Sequence, residues 1–567
     1  MRAASPSAWV DSVLSSLSLR DKVAQLVWPW ILGDYVPEGS TEWGRLLRLV
    51  REERVGGFIV SVGSPHDIAI KVNALQRESA LPLLIAADLE TGVGFRARGG
   101  YFLPNAIDLG GATTFPLKMA LGAAADSELA YQVGQVTARE ARALGIHIAF
   151  GPVLDVNNNP SNPVIGARSF SEDPRLAARL GVAEIQGMQD HGLVATGKHF
   201  PGHGDTETNS HLALAVVTAT RARLDSVELV PFRAAIAAGV GAIMTFHGFL
   251  PALDSSGVPA TLSPAVMTGL LRSELGFRGL LVTDAMDMAG VVQTFGPYEA
   301  ARRALSAGAD VLLMPADVHG TIDSVVAGVA AGRYSVARID SSVRRVLELK
   351  ARFGLQRSRL VSLDSVRAVV GDSTHVALAQ QVAERGLVLA KDSLELVPVG
   401  VQLTAASTRI LSVTYARRSD LGAGTQFDNE LRRRFRVQST YVSADDQRPD
   451  LSALLAAADS SDLVVVGSYV NVTAATATAA PPAAFVSLVS EILRRHAKVV
   501  LVSFGSPYIL QYVPNVGTYL VAWGGSAASQ RAAARALLGE IPITGRMPIA
   551  VPPSLPLGAG LTRTASR

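Results

Sequence analysis

Short apolar runs recur through the first 355 residues, each leading to a polar or charged residue, with longer amphipathic stretches between them. The runs are Gly57-Phe58-Ile59-Val60; Leu83 to Ala87, ending at Asp88; Ile146 to Phe150, leading to Asp155; Leu193 to Lys198; Ala242-Ile243-Met244, leading to His247; Leu280 to Thr283, ending at Asp284; and Val311 to Met314. Runs this short, without internal alternation, read as strands buried on both faces. Between them Asp126–Leu144, Pro174–Gln189, Leu224–Ala238 and Pro264–Leu275 carry helical patterns, and Trp9–Val27 opens the chain in the same way, with Ser18 capping the turn from Leu19. Strands alternating with helices predict a parallel sheet covered on both sides. Seven or eight such units fit an α/β fold of the (β/α)8 TIM-like barrel type, whose sites lie at the C-terminal ends of the strands. A doubly wound open sheet is the competing architecture.

A helix from Arg338 to Leu355, with Val343, Val346, Leu347 and Leu349 on one face and Gly354 at its end, closes this first domain, assigned to residues 1–355. The pattern loosens over 356–372, the expected linker. A helix near His375–Arg385 then opens a second domain, 373–567. There, apolar runs at Arg409–Val413, Val437–Val442, Leu463–Gly467, Val499–Phe504 and Thr518–Ala522 alternate with helical stretches at Asn429–Phe435, Ala484–His496 and Gln530–Leu538. This predicts a smaller α/β sandwich. Thr473 to Pro482 is low in complexity and expected as a surface loop, and Gly539–Pro553, with Gly545-Arg546-Met547-Pro548, as irregular and extended.

Composition narrows the function. The 567 residues are 48% hydrophobic and 18% charged, enough to bury two cores. A net charge of +3 without a long basic stripe points away from nucleic acid. The lack of cysteine excludes disulfides, thiolate metal sites and a thiol nucleophile. No apolar run approaches the roughly 20 residues needed to span a bilayer, so no membrane span is expected. Met1 to Ser7 does not read as a signal peptide, and an exported protein without its leader would look the same.

The chemistry gathers at strand ends, where Asp88, Asp155, Lys198, His199, His247 and Asp284 all fall. Lys198 to His211, Lys-His-Phe-Pro-Gly-His-Gly-Asp-Thr-Glu-Thr-Asn-Ser-His, puts three histidines, two acids and a lysine into a glycine-rich loop. His199 and His203 are four apart, as in a zinc-binding helix, but Pro201, Gly202 and Gly204 oppose a helix there, which weighs against a metal. Asp284 can be a nucleophile, a metal ligand or a helix cap. Asp88 and Arg96 flank Thr91-Gly92-Val93-Gly94, a turn where glycine would favour close approach of backbone to a ligand.

Lys198-His199-Phe200-Pro201-Gly202-His203-Gly204, followed by Ser210-His211, resembles the signature of glycoside hydrolase family 3 in its β-N-acetylglucosaminidase branch. Asp155-Val156-Asn157, Asn162 to Phe170, the Asp284 strand and the Arg338–Leu355 helix extend the resemblance over nearly the whole chain. It implies a retaining, exo-acting glycosidase acting on cell-wall fragments or chitooligosaccharides. Asp284 matches the nucleophile and His211 the mobile-loop general acid/base, while Asp88, Arg96, Arg168, Lys198 and His199 match positions that grip the terminal sugar. His247 is a further candidate for the substrate pocket. The implied partner is a carbohydrate, and no cofactor or metal is expected. Two-domain members are often exported, which suggests a periplasmic or secreted protein, with a cytoplasmic one as the alternative. The chain departs at Asn209, where the branch has an aspartate paired with the histidine. In serine proteases the corresponding change of orienting Asp to Asn costs about 10⁴ in rate. Asp205 or Glu207 could compensate; phosphorolysis or transglycosylation, and sugar binding without turnover, are the alternative activities.

Overall fold

The computed structural model describes residues 6–99, 101–102, 107–108, 110–399, 403, 407–447, 449–471 and 477–566. Its first domain is the barrel. Among the described residues the strands run in the order Val27–Trp28, Val311–Leu313, Leu280–Ala285, Ala242–Thr245, Val194–Phe200, Ile148–Phe150, Leu84–Asp88, Gly57–Val60, Trp30–Ile31, all parallel. The two end segments are one stave interrupted at Pro29, which has no N–H to donate to a ladder. One half pairs with the last strand and the other with the second, so the ring closes as eight staves. A register shift between Leu280–Ala285 and Val311–Leu313 inserts an extra residue next to Asp284. Bulges of this kind re-aim side chains beside active sites.

Helix boundaries follow local chemistry. Ser127–Ala143 and Pro174–Asp190 start where Asp126 and Asp173 accept hydrogen bonds from first-turn N–H groups, and Ser18 caps Leu19–Ala24 as expected. The single helix predicted over Leu224–Ala238 is two, Arg221–Ser226 and Leu229–Ala237. Val227 leaves helical geometry between them, and Pro231 falls in the first turn of the second, where its missing N–H costs nothing.

The second domain holds a six-stranded sheet in the order Val388–Asp392, Thr518–Val521, Val499–Ser503, Leu463–Ser468, Arg409–Ala416, Arg436–Ser443. The five strands with sequence-level counterparts are parallel. Val388–Asp392, antiparallel to its neighbour, was not predicted, because only Leu387 separates it from the helix Ser373–Gly386 and its apolar residues merge with the helical pattern. Helix Leu363–Val369 lies within the stretch expected as a linker and buries Val366. Of the low-complexity stretch, residues 473–476 lie outside the described residues.

One apolar cluster is shared by both sheets' surroundings: Phe115, Met119, Phe170 and Leu180 pack with Val382, Tyr415, Trp523 and Ile549. Polar ties reinforce it. Leu117 N–H donates to Trp523 O, Ser171 Oγ to Pro548 O, and buried Glu140 accepts from Thr113, Gly371 and His375. The irregular Gly545–Pro548 stretch therefore clamps the loop that follows Arg168. Among the described residues no helix is long and apolar enough to cross a membrane.

Candidate active site

The predicted strand-end residues converge at the C-terminal mouth of the barrel. Asp88, last residue of its strand, receives Arg96 Nη2 at 2.7 Å and Lys198 Nζ at 3.0 Å. Lys198 also reaches Glu90 Oε1 at 2.8 Å, and Arg168 grips Glu90 with two bonds, Nη2 to Oε1 at 2.7 Å and Nε to Oε2 at 2.8 Å. Five charges thus form one lattice, and its bidentate pair fixes the guanidinium plane. Burial opposes ionisation of Glu90, but Arg168 and Lys198 outweigh it and hold the carboxyl well below the usual carboxylate range. Asp88 is lowered in the same way, burial being outweighed by Lys198 and Arg96. For Lys198 burial is outweighed by Glu90 and Asp88, and its pKa is raised. Arg96 Nε is buried without a hydrogen-bond partner.

Asp155 is fully buried and organises the loop after Phe200. It accepts His199 Nδ1–H at 2.7 Å, the His199 backbone N–H at 3.2 Å and the His203 N–H at 2.7 Å. Asn162 accepts from Val164 and Ile165 N–H and donates to His203 O, Gly204 O and Thr206 Oγ1, joining the Arg168 loop to the histidine loop. Gly204 is obligatory here, since a Cβ would lie 1.8 Å from Val156 O. Asn157 Nδ2 donates to Tyr508 Oη at 2.8 Å, so the second domain braces the loop that carries Asp155.

Asp284 accepts Ala285 N–H on Oδ1 at 2.8 Å, which leaves Oδ2 for chemistry. Burial raises its pKa, but His199, His247, His211 and the Ala285 N–H together bring it below the ordinary value. His247 is fully buried and spends both ring nitrogens on the protein: Nδ1 meets Thr261 Oγ1 at 2.7 Å and Nε2 meets Ala285 O at 2.9 Å. It therefore props the Asp284 strand end, in place of the pocket contact expected of it.

His211 is half-buried on the loop. Its backbone N–H and its Nδ1 both lie 3.0 Å from Asn209 Oδ1. The backbone donor fixes the amide with its oxygen toward the ring, so Nδ1 carries a proton and Nε2 is the nitrogen that exchanges one. Burial, with Arg168, His199 and Lys198 outweighing the pull of Asp284, holds the His211 pKa below 6.5. Of the two acids considered as substitutes for an orienting aspartate, Asp205 acts electrostatically on Glu228 and Glu207 is exposed.

His203 latches this loop. Thr206 donates to His203 O, so its oxygen accepts Nδ1–H at 2.8 Å, and Ser210 Oγ donates to Nε2 at 2.9 Å. The ring stacks on Phe246 at 4.0 Å, and burial pushes its pKa down to about 3, keeping it neutral. No group of three or more metal-ligating side chains occurs among the described residues. Gly94, expected to let backbone approach a ligand, instead packs on the chain itself: it donates to Thr113 O, and a Cβ would lie 2.3 Å from Ala112 O.

Glu90, Asn162 and His203 had no part in the expected site, and Asp155, singled out at a strand end, had no assigned role. Glu90 carried a legible signal, standing two residues after Asp88 and hence on the same face. The others are readable only once two loops are brought together.

A barrel with a half-buried carboxylate at its mouth, a polar cradle and a loop histidine defines a glycoside hydrolase, and comparison with known proteins agrees. The family model described as Glycosyl hydrolase family 3 N terminal domain matches residues 18–349, and the chain belongs to that family. It is 33% identical over 401 residues to a protein of Cellulomonas fimi named beta-N-acetylglucosaminidase/beta-glucosidase, covering 69% of this chain and 68% of that one. A solved family 3 β-N-acetylglucosaminidase from Paenibacillus sp. str. FPU-7 superposes with a TM-score of 0.83 at 33% identity, over 97% of this chain and 100% of that one. A β-glucoside phosphorylase structure superposes at 0.82 and 25% identity, over 95% and 96%.

Proposed function

We propose that the chain hydrolyses terminal β-linked N-acetylglucosamine with retention of configuration. The observation that carries this reading is the pairing of an ionised, half-buried Asp284 with His211 on a separate loop, beside the Asp88–Glu90–Lys198–Arg168 lattice. Asp284 Oδ2 attacks the anomeric carbon while protonated His211 gives its Nε2 proton to the departing glycosidic oxygen. Neutral His211 then takes a proton from water, whose oxygen displaces the carboxylate and restores the starting configuration. Arg96, Lys198, Arg168 and His199 hold the sugar hydroxyls, and the names of the two 33%-identical relatives supply the sugar.

Aryl β-glycosides of different sugars, assayed with and without phosphate, test it. The N-acetylglucosaminide is expected to be cleaved, to release the β-anomer first, and to show no rate change with phosphate. A folded protein that leaves it intact overturns the proposal. Rates that depend on phosphate, with a sugar 1-phosphate as product, would favour the second reading, phosphorolysis, which the neutral acid/base and the likeness to a phosphorylase support.

A further inference from the structure

The polar lattice occupies one side of the mouth; the first stave, across from it, has a different character. Trp30 pairs with Ile59, and Ile59 with Ala86. The ladder continues past the strand ends through Ser61 N–H to Ile31 O and Gly33 N–H to Val62 O, both 2.9 Å. Counting two residues on from each partner, Leu32, Ser61 and Asp88 share a level and a face, and Trp30 lies one repeat below on that face. Trp30 and Leu32 therefore face the same mouth as Asp88. Their stave is two places from the Asp88 strand one way and two places from the Asp284 strand the other, about 10 Å in each direction at 4.8 Å per strand.

Exposure rises outward along this stave, from 37% at Trp30 to 45% at Leu32 and 72% at Tyr35, with Val62 at 43% on the neighbouring strand's extension. Such apolar area left open at a site mouth marks a binding surface. It joins the lattice directly, because Gly63 N–H donates to Arg96 O. Its charges are mixed: Asp34 is exposed but lies 4.0 Å from Lys71 Nζ, which is sunk and donates to Leu32 O at 2.8 Å, and exposed Arg98 follows on the segment whose N–H donates to Gly63 O.

Resting on the activity proposed above, we propose that Trp30, Leu32 and Tyr35 form the subsite for the leaving group, and that it takes the next sugar by its C–H face. The lattice takes the hydroxyl-rich terminal sugar, and the apolar rim takes the next one, beyond the scissile bond.

The experiment compares kcat/KM for chitotriose with that for methyl β-N-acetylglucosaminide in wild type, Tyr35→Ala, Trp30→Ala and Trp30→Phe. The ratio is expected to fall about tenfold in Trp30→Ala, to fall less in Tyr35→Ala, and to be largely restored in Trp30→Phe. Tyr35 is mostly exposed, so its variant reads out even if Trp30→Ala does not fold. Unchanged ratios in every folded variant overturn the subsite. Failure of the wild type on every N-acetylglucosaminide would instead overturn the activity on which it rests.

Discussion

The two working halves of the mouth are held by different forces. The cradle of Asp88, Glu90, Arg96, Arg168 and Lys198 consists of formal charges locked at 2.7–3.0 Å in buried or half-buried surroundings. The histidine loop is anchored at its start by Asp155 on the His203 N–H, and beyond that by neutral groups: Asn209 on His211, and the His203 ring between Thr206 and Ser210. Removing one member of the first set strands its partners, whereas removing one member of the second costs a hydrogen bond. Binding is thus built in advance, and proton transfer is left movable and open to tuning.

Glu90→Gln should break this contrast most severely. It leaves Lys198 and Arg168 short of one negative charge, and loss of a member of such a buried group costs about 3–5 kcal/mol. A lower Tm and a raised KM for the aryl glycoside are expected; normal values for both would show the lattice to be incidental. The wild type should show the corresponding acid sensitivity. Glu90 is held below its ordinary value of 4.5, so its contribution is full above that value and is lost as pH falls toward the depressed folded pKa.

Asn209→Asp comes next. Protonated His211 is the acid in the first step, so kcat/KM falls as pH rises through its pKa, which lies below 6.5. An adjacent carboxylate raises that pKa and should move the alkaline limb up by about 1 pH unit, with kcat rising about tenfold or more. An unmoved pH profile would deny His211 the role of acid. The smallest effect is expected from Ser210→Ala, which frees one side of the His203 latch: kcat should fall by about tenfold or less, while the binding of free N-acetylglucosamine stays the same. A change in that binding with kcat intact would place the latch in the cradle.

The barrel was legible because its strands are continuous apolar runs, each stopped by a polar residue, a pattern that depends on nothing distant. Val388–Asp392 was not, because a helix runs into it almost without a break. In the site, residues at strand ends could be read one by one, and Asn209 could be singled out before its contact with His211 was seen. Asp155, Asn162 and His203 act by tying loops through contacts 41–48 residues apart in sequence, and His247 differs from its expected part because both its nitrogens are used within the fold. Side-chain partnership of this kind follows from three-dimensional packing alone.

The central claim is that Asp284 becomes covalently bound to the sugar. The direct test is mass spectrometry of peptides after trapping the enzyme with a slow 5-fluoro N-acetylglucosaminyl fluoride, or after rapid quench with the aryl glycoside. A glycosyl adduct is expected on the peptide holding Asp284, absent from Asp284→Asn. An adduct on another residue, or turnover with inverted product and no adduct, would contradict it.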